Sequence, residues 1–163
     1  MSIDILDMLA LEEGFRARPY ICSEGYATIG YGLKLSRKKI TEQELYEYYN
    51  FELSEESCFE DLERRVSAID MSLEKGNQLL SHVYREQDNY RRSALISMVY
   101  QLGEHGVGKF RKMLSAMLSH NYELAASEAL DSLWAKQTPA RAGRLSTVIR
   151  DGDFLAYIKL IRD

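Results

Sequence analysis

The sequence contains little cysteine and little proline: two residues of each among 163. Two cysteines are too few for a disulfide framework, and the chain has no Cys-X-X-Cys motif or Cys/His cluster suited to zinc. We therefore expect Cys22 and Cys58 to be reduced thiols inside a cell. The chain also lacks low-complexity segments, so a long linker or disordered tail is not expected.

Long apolar runs and the pattern of a signal peptide are missing as well. The longest uncharged stretch, Ser93 to Gly103, is shorter than the roughly 20 apolar residues of a membrane-spanning helix. The N-terminal residues include Asp4 and Asp7, whereas a signal peptide begins with positive charge followed by an apolar segment. We expect a protein that is made and kept in the cytoplasm, at least at first.

The chain also lacks an excess of basic residues. The chain has 25 acidic and 21 basic side chains, a formal net charge of -4. Nucleic-acid binding requires a basic face that neutralises phosphates, so nucleic acid is not the expected partner. One short basic run, KLSRKK from Lys34 to Lys39, is interpreted as a solvated loop, and the alternative is a contact with an anionic surface.

The N-terminal third changes from helical to alternating periodicity. Apolar residues from Ile5 to Leu9 predict a helix over about Ile3 to Glu12, with Gly14 as its stop. The segment from Pro19 to Leu33 predicts a β-hairpin with a glycine-containing turn. In its second strand, Thr28 lies on one face and Ile29 on the other, so that one face can be core and the other a site.

The remainder of the chain is predicted to be helical. Thr41 and Glu44 have the spacing of a capping box, and the apolar pattern that follows, including Tyr48, continues to a break at Gly76-Asn77 as one helix or a helix pair. The segment after Asn89 is expected to be the most buried helix. The predicted helices beyond the break are Asn89–Leu102, Phe110–Leu118, Tyr122–Leu133, Arg141–Arg150 and Phe154–Ile161. These elements predict an α+β fold that is mostly α, with a small sheet in the first third.

Glu13 is the first candidate for chemistry because it follows Leu6 and Leu9 on the apolar face of the first helix. A carboxylate there is unfavourable unless it is paired or functional. The alternative is that Glu13 lies past the helix end, in water or in an ion pair. The hairpin can bring Cys22 and Thr28 back towards that helix end, so these three residues are candidates for one cleft.

Three blocks of this sequence resemble the lysozymes of the T-even bacteriophages. They are LEEGFRARPYICSEGYATIGYG (Leu11 to Gly32), RRSALISMVYQLGEHGVGKF (Arg91 to Phe110) and WAKQTPARAGR (Trp134 to Arg144). The family pattern is a catalytic Glu, eight residues, an Asp, five residues and a Thr, and Glu13, Cys22 and Thr28 occupy those positions with both spacings intact.

The resemblance implies a lysozyme-like two-lobe fold over residues 1–163, with a substrate cleft between the lobes. The small lobe, 14–55, would carry the hairpin. The helical lobe would comprise 1–13 and 56–163, including a long connecting helix.

The resemblance also implies an activity, namely hydrolysis of the β-1,4 bond between N-acetylmuramic acid and N-acetylglucosamine in peptidoglycan, with inversion. Glu13 would be the general acid, kept protonated near neutral pH by partial burial, and Thr28 would help to hold the attacking water. No metal and no organic cofactor are implied. The expected protein is a monomeric phage endolysin that waits in the host cytoplasm and reaches the wall with a separate, holin-type membrane permeabiliser.

Cys22 departs from the family pattern because it stands where the family has Asp. An ordinary thiol has a pKa of about 8.5, and a nearby Glu13 carboxylate is expected to raise it, so thiolate should be a minor species. A thiolate is nevertheless a strong nucleophile, and a covalent route would change inversion to retention. Three outcomes stay open: a hydrolase that uses Cys22, a hydrolase that relies on Glu13 alone, and a catalytically impaired peptidoglycan-binding protein.

Other positions are assigned to substrate binding by the same resemblance. Tyr100 and Gln101 match an aromatic-Gln pair of the cleft, although Tyr100 can also be read as a core aromatic residue. Gln137 and Arg141 match a QTPxR segment, in which Arg141 would pair with Glu13. Glu24 is the nearest alternative carboxylate to Cys22. The remaining cleft-wall positions differ from the family in residue type: Lys34, Met113 and Glu128.

Overall fold

The computed structural model describes residues 2–163. It confirms the α+β class, since 66% of the chain is helical and a three-stranded antiparallel sheet lies near the N-terminus. The N-terminal elements are α1 (Ile5–Glu13), β1 (Arg16–Ile21), β2 (Ala27–Gly30), β3 (Leu33–Lys34), α2 (Glu42–Tyr48) and α3 (Glu55–Lys75). The later helices are α4 (Leu79–Arg85), α5 (Asn89–Gly108), α6 (Arg111–Leu118), α7 (Tyr122–Leu130), α8 (Leu133–Gln137), α9 (Pro139–Asp151) and α10 (Leu155–Arg162).

Helix α1 begins two residues later than predicted because Asp4 caps it. The Asp4 carboxylate accepts hydrogen bonds from the N–H groups of Leu6 (2.8 Å) and Asp7 (3.1 Å), as an N-terminal cap does. The helix ends at Glu13, and Gly14 has a φ of +66° and donates its N–H to the carbonyl of Ala10. The predicted glycine stop is therefore confirmed.

The sheet has the strand order β1-β2-β3, and the predicted hairpin is confirmed. Tyr20 pairs with Thr28 across the first two strands, and Thr28 pairs with Lys34 across the second and third. The third strand was not predicted, because two residues are too short for any periodicity. All four residues of β2 are buried, so both faces of this strand are covered.

The predicted capping box is present at α2. The Thr41 hydroxyl accepts a hydrogen bond from the N–H of Glu44, and the Glu44 carboxylate accepts one from the N–H of Thr41. Of the two alternatives predicted for the segment up to the break at Gly76-Asn77, one helix or a helix pair, the structure has the pair, α2 and α3. The predicted apolar stripe is wrong at Tyr48, which is 71% exposed, and α2 has no buried residue.

The central helix α5 confirms the predicted burial, since Ala94, Leu95, Ile96, Met98 and Val99 all lie in the core. The backbone breaks at Gly103, which has a φ of 75° and a ψ of 163° inside this element.

Two helix predictions need correction. Helix α4 was not predicted. The single helix expected over Tyr122–Leu133 is wrong, because Ser132 caps a new helix by accepting the N–H of Ala135 at 3.1 Å.

The chain divides into two compact units. The larger unit comprises residues up to Met8 together with Val66–Asp163, and the smaller unit is Leu9–Arg65. Helices α1 and α3 each have residues in both units. The lobe boundaries that the resemblance implies, 14–55 for the small lobe and 1–13 with 56–163 for the helical lobe, stay a prediction. In the part of the chain described, no helix has the length and hydropathy needed to cross a membrane.

Candidate active site

The Glu13 carboxyl group lies beside the backbone of Gly32 within the smaller unit. Glu13 is the last residue of α1 and is half-buried, while Gly32 follows β2 with a φ of +78°. A Cβ atom at Gly32 would lie 2.9 Å from Oε2 of Glu13, well inside van der Waals contact. Position 32 therefore needs glycine for two reasons, its backbone conformation and the space that the carboxylate occupies.

Cys22 occupies the first position of the hairpin turn. Its carbonyl accepts the N–H of Gly25 at 2.8 Å, and its own N–H donates to the carbonyl of Tyr26 at 3.0 Å. Gly25 has a φ of +91°, which suits glycine at the end of such a turn. The turn holds the half-buried Cys22 side chain at the end of β1.

The environment of the Cys22 sulfur makes its ionisation easier than that of an ordinary thiol. Burial opposes ionisation, but hydrogen bonds from the Thr28 hydroxyl and from the N–H groups of Tyr26 and Glu24 outweigh burial, so the pKa of the Cys22 thiol is lowered from its ordinary value. The Glu24 carboxylate opposes this shift only in part. The direction is opposite to the one predicted from the sequence, because the donors of the turn were not visible there.

Thr28 is buried in the middle of β2, with 3% of its surface exposed. Its hydroxyl donates to the carbonyl of Tyr26 at 3.0 Å. A hydroxyl has one proton to donate, so the bond to the Cys22 sulfur and the bond to this carbonyl compete. Of the two acceptors, the Tyr26 carbonyl receives the hydroxyl proton in this structure.

The second cysteine has a different environment. Cys58 is 5% exposed, and burial raises the pKa of its thiol. Its sulfur packs against the backbone of Gly30, where a Cβ atom would come within 2.8 Å of Sγ. Cys58 therefore acts as a small apolar core residue. Of the two thiols, Cys22 is the one that can act as a base or nucleophile.

Glu24 and Lys34 form an exposed ion pair next to the turn. The Lys34 ammonium also lies 4.6 Å from the ring centre of Tyr26. The hydrogen bond from Lys34 to Glu24 raises the pKa of Lys34. Glu24, predicted as an alternative carboxylate, is therefore engaged by a cation, and the structure brings both predicted residues together beside Cys22.

Tyr20 lies next to the candidate site, and the sequence did not single it out. Burial raises the pKa of its phenol; the Arg16 guanidinium, 4.3 Å from the ring centre, lowers it, and negative charge on Cys22 and on Glu13 raises it. Tyr20 is thus close enough to both groups to sense their charges. Its place opposite Thr28 in the hairpin register was the signal that could have identified it.

The larger unit contains a cavity of about 610 Å³ that is lined by three of the predicted substrate-binding residues, Met113, Glu128 and Gln137. Met113 is only 1% exposed, so its side chain also belongs to the core of α6. Trp134 lines the same cavity and donates its indole N–H to the Gln101 side-chain oxygen at 2.8 Å. The structure thereby connects Gln101 with this group.

Arg141 and Tyr100 also lie in the larger unit. Arg141, on α9, is 8% exposed, and its guanidinium donates to the carbonyl of Ser97 at 3.2 Å and to the Ser97 hydroxyl at 3.1 Å. Tyr100 is half-buried near the end of the regular part of α5. The pair of Arg141 with Glu13 stays a prediction. In residues 2–163, no group of three or more His, Cys, Asp or Glu side chains is arranged to hold a metal ion.

Comparison with known proteins identifies the class. The model of the phage lysozyme family matches residues 10–148. "Probable T4-type lysozyme 1" of Dictyostelium discoideum is 34% identical, over 96% of this chain and 99% of that protein. A second such protein of this organism, "Probable T4-type lysozyme 2", is 30% identical, over 96% of this chain and 99% of its own length.

A third relative is much longer than this chain. The pre-baseplate central spike protein Gp5 of Enterobacteria phage T4 is 29% identical over 96% of this chain but only 29% of its own length. The matches define a T4-type lysozyme. The chain belongs to the phage lysozyme family, and its enzyme class is lysozyme (muramidase), a peptidoglycan hydrolase.

Proposed function

We propose that this lysozyme hydrolyses the β-1,4 bond between N-acetylmuramic acid and N-acetylglucosamine, with Glu13 and a Cys22 thiolate as its catalytic groups. The observation that carries the proposal is the position of Cys22, a half-buried thiol with a lowered pKa that stands nine residues after Glu13, where the family has a carboxylate. A thiol acts as a base or nucleophile in its thiolate form, and a lowered pKa increases the share of that form.

Glu13 protonates the glycosidic oxygen as the bond from that oxygen to the anomeric carbon breaks. In the inverting route, the Cys22 thiolate takes a proton from water while the water oxygen bonds to the anomeric carbon. Thr28 helps to hold that water. The cycle closes when Cys22 loses its proton and Glu13 regains one through solvent, so that the net reaction adds one water.

In the retaining route, the Cys22 sulfur bonds to the anomeric carbon as the leaving oxygen takes the Glu13 proton. The Glu13 carboxylate then takes a proton from water, whose oxygen displaces the sulfur and releases thiolate. Both routes regenerate the starting groups and consume one water. They differ in the anomer of the first product, which proton NMR of the freshly formed sugar distinguishes.

The test of the catalytic roles is clearing of outer-membrane-permeabilised bacteria. The native protein should clear the suspension, whereas Glu13→Gln and Cys22→Ser should both lose at least about a hundredfold in rate, the usual contribution of a general acid or base. Clearing that survives Glu13→Gln contradicts the assignment. No clearing by the native protein, with clearing restored by Cys22→Asp, favours the impaired peptidoglycan-binding protein instead.

For the biological role we propose a phage endolysin that accumulates in the host cytoplasm as a monomer. A separate membrane permeabiliser of the holin type would release it to the wall. The test is expression in a host cell, where lysis should require co-expression of such a permeabiliser or addition of a membrane-disrupting agent. Prompt lysis by the enzyme alone contradicts this role.

A further inference from the structure

A second cavity of about 460 Å³ lies in the larger unit, and none of the predicted site residues lines it. Its wall comprises Gln78, Leu79, Leu80, His105, Gly108, Lys109 and Arg111. This volume is within the range of about 300–1,000 Å³ typical of ligand pockets. The cavity therefore has room for a small ligand or for the headgroup of a larger one.

The polar wall of this cavity is built from donors. His105, Lys109 and Arg111 contribute an imidazole, an ammonium and a guanidinium, and no carboxylate belongs to the lining. Within residues 2–163, none of these three side chains forms an ion pair. All three residues are exposed. Lys109 and Arg111 place two unneutralised cations beside one cavity, which creates a positive potential that attracts an anion.

The remaining lining residues add a donor and an apolar floor. Gln78 precedes α4 as its N-cap but makes no side-chain hydrogen bond to the helix, so its amide is available to a ligand. Leu80 is 3% exposed and Leu79 is half-buried. A ligand with an anionic head and a small apolar or sugar portion matches this distribution.

We propose that this cavity binds a phosphate ester. Arginine presents a planar fork that matches phosphate oxygens, and lysine adds a point charge. A tetrahedral phosphate can accept hydrogen bonds from several directions at once, which suits a cavity lined by residues from α5, from α6 and from the segments that precede α4 and α6. The phosphate ester can be a soluble molecule or the headgroup of an anionic phospholipid.

The experiment measures binding to the full chain with three probes: sn-glycerol 3-phosphate, succinate as a non-phosphate dianion, and phosphatidylcholine vesicles with or without phosphatidylglycerol. The cavity variant is Lys109→Gln with Arg111→Gln. The control variant is Lys75→Gln with Lys159→Gln, which removes the same charge from two exposed lysines of the larger unit outside the cavity.

We expect the phosphate probe to bind the native protein and the control variant with equal affinity. The affinity of the cavity variant should be at least about tenfold lower, since two charge-assisted contacts are lost. Binding confined to phosphatidylglycerol vesicles, and lost in the cavity variant, also supports the proposal and identifies the lipid headgroup as the source. Equal weakening in both variants overturns it, as does succinate binding as tightly as phosphate, or no binding of either phosphate probe. Circular dichroism checks that both variants are folded.

Discussion

Replacing Gly32 with alanine should lower catalytic activity by more than the accompanying loss of stability explains. Gly32 has a φ of +78°, a backbone conformation that costs a non-glycine residue roughly 1–2 kcal/mol. The new Cβ would also lie 2.9 Å from Oε2 of Glu13, whereas ordinary contacts begin at 3.4 Å. The carboxylate must therefore move by about half an ångström, the difference between these two distances.

That movement is inexpensive in stability, because the carboxylate is the far end of a flexible side chain. It is costly in catalysis, because a displacement of about 1 Å can reduce a rate by about a hundredfold. We expect Gly32→Ala to lose about tenfold in kcat/KM, which corresponds to about 1.4 kcal/mol of transition-state stabilisation.

Gly14→Ala is the matched control. Gly14 has a φ of +66°, but a Cβ atom there meets nothing within 4 Å. Both variants should lose roughly 1–2 kcal/mol of stability and therefore about 2–8 °C in Tm, while only Gly32→Ala loses activity on purified peptidoglycan. Equal kcat/KM values for the two variants would refute the argument that Gly32 makes room for the Glu13 carboxylate.

The other predictions concern the thiols, a buried phenol and a helix cap. Iodoacetamide should modify Cys22 before Cys58, and the pH midpoint of Cys22 alkylation, measured by mass spectrometry, should lie below that of an ordinary thiol and should rise in Thr28→Val, because the pKa of Cys22 is lowered in part by the Thr28 hydroxyl; an unchanged midpoint would argue against that bond. Tyr84→Phe should cost about 1–2 kcal/mol in urea unfolding, since the buried Tyr84 hydroxyl donates to Asp70; a neutral result would show that water replaces the bond. Asp88→Ala should cost about 1 kcal/mol near neutral pH, because Asp88 caps α5. Burial opposes ionisation of Asp88, but hydrogen bonds from the Arg91 N–H and guanidinium outweigh burial and lower its pKa. The carboxylate therefore stabilises the fold above the unfolded-state pKa, and the difference between native and Asp88→Ala should vanish as the pH falls through the lowered value; a difference that persists in acid would contradict this.

The parts of the fold that the sequence could predict depend on local chemistry. The capping box at Thr41 and Glu44, the glycine stop after α1 and the apolar run of α5 are each determined by residues a few positions apart. The split between α7 and α8 was missed because the apolar spacing continues across Ser132, and only the hydrogen bond of its side chain shows that a new helix starts.

In the candidate site, too, some features could be predicted from the sequence and others depend on the folded structure. The resemblance to a family pattern predicted Glu13, Cys22 and Thr28 as site residues. The direction of the Cys22 pKa shift could not be predicted in the same way, because burial is outweighed by the Thr28 hydroxyl and by two backbone N–H groups of the folded turn. The role of Gly32 depends on a contact with a side chain nineteen positions earlier in the sequence. Neither is a property of a sequence pattern, and both needed the folded hairpin.

The most direct test of the central claim is the rate of peptidoglycan hydrolysis by Cys22→Ser relative to the native enzyme, on purified substrate at the same pH. Serine keeps the size and the hydrogen bonds of the turn but has no accessible anion near neutral pH. If the Cys22 thiolate is a catalytic group, the rate should fall by about a hundredfold or more. Equal rates for the two proteins would contradict the account and would leave Glu13 without a catalytic partner at position 22.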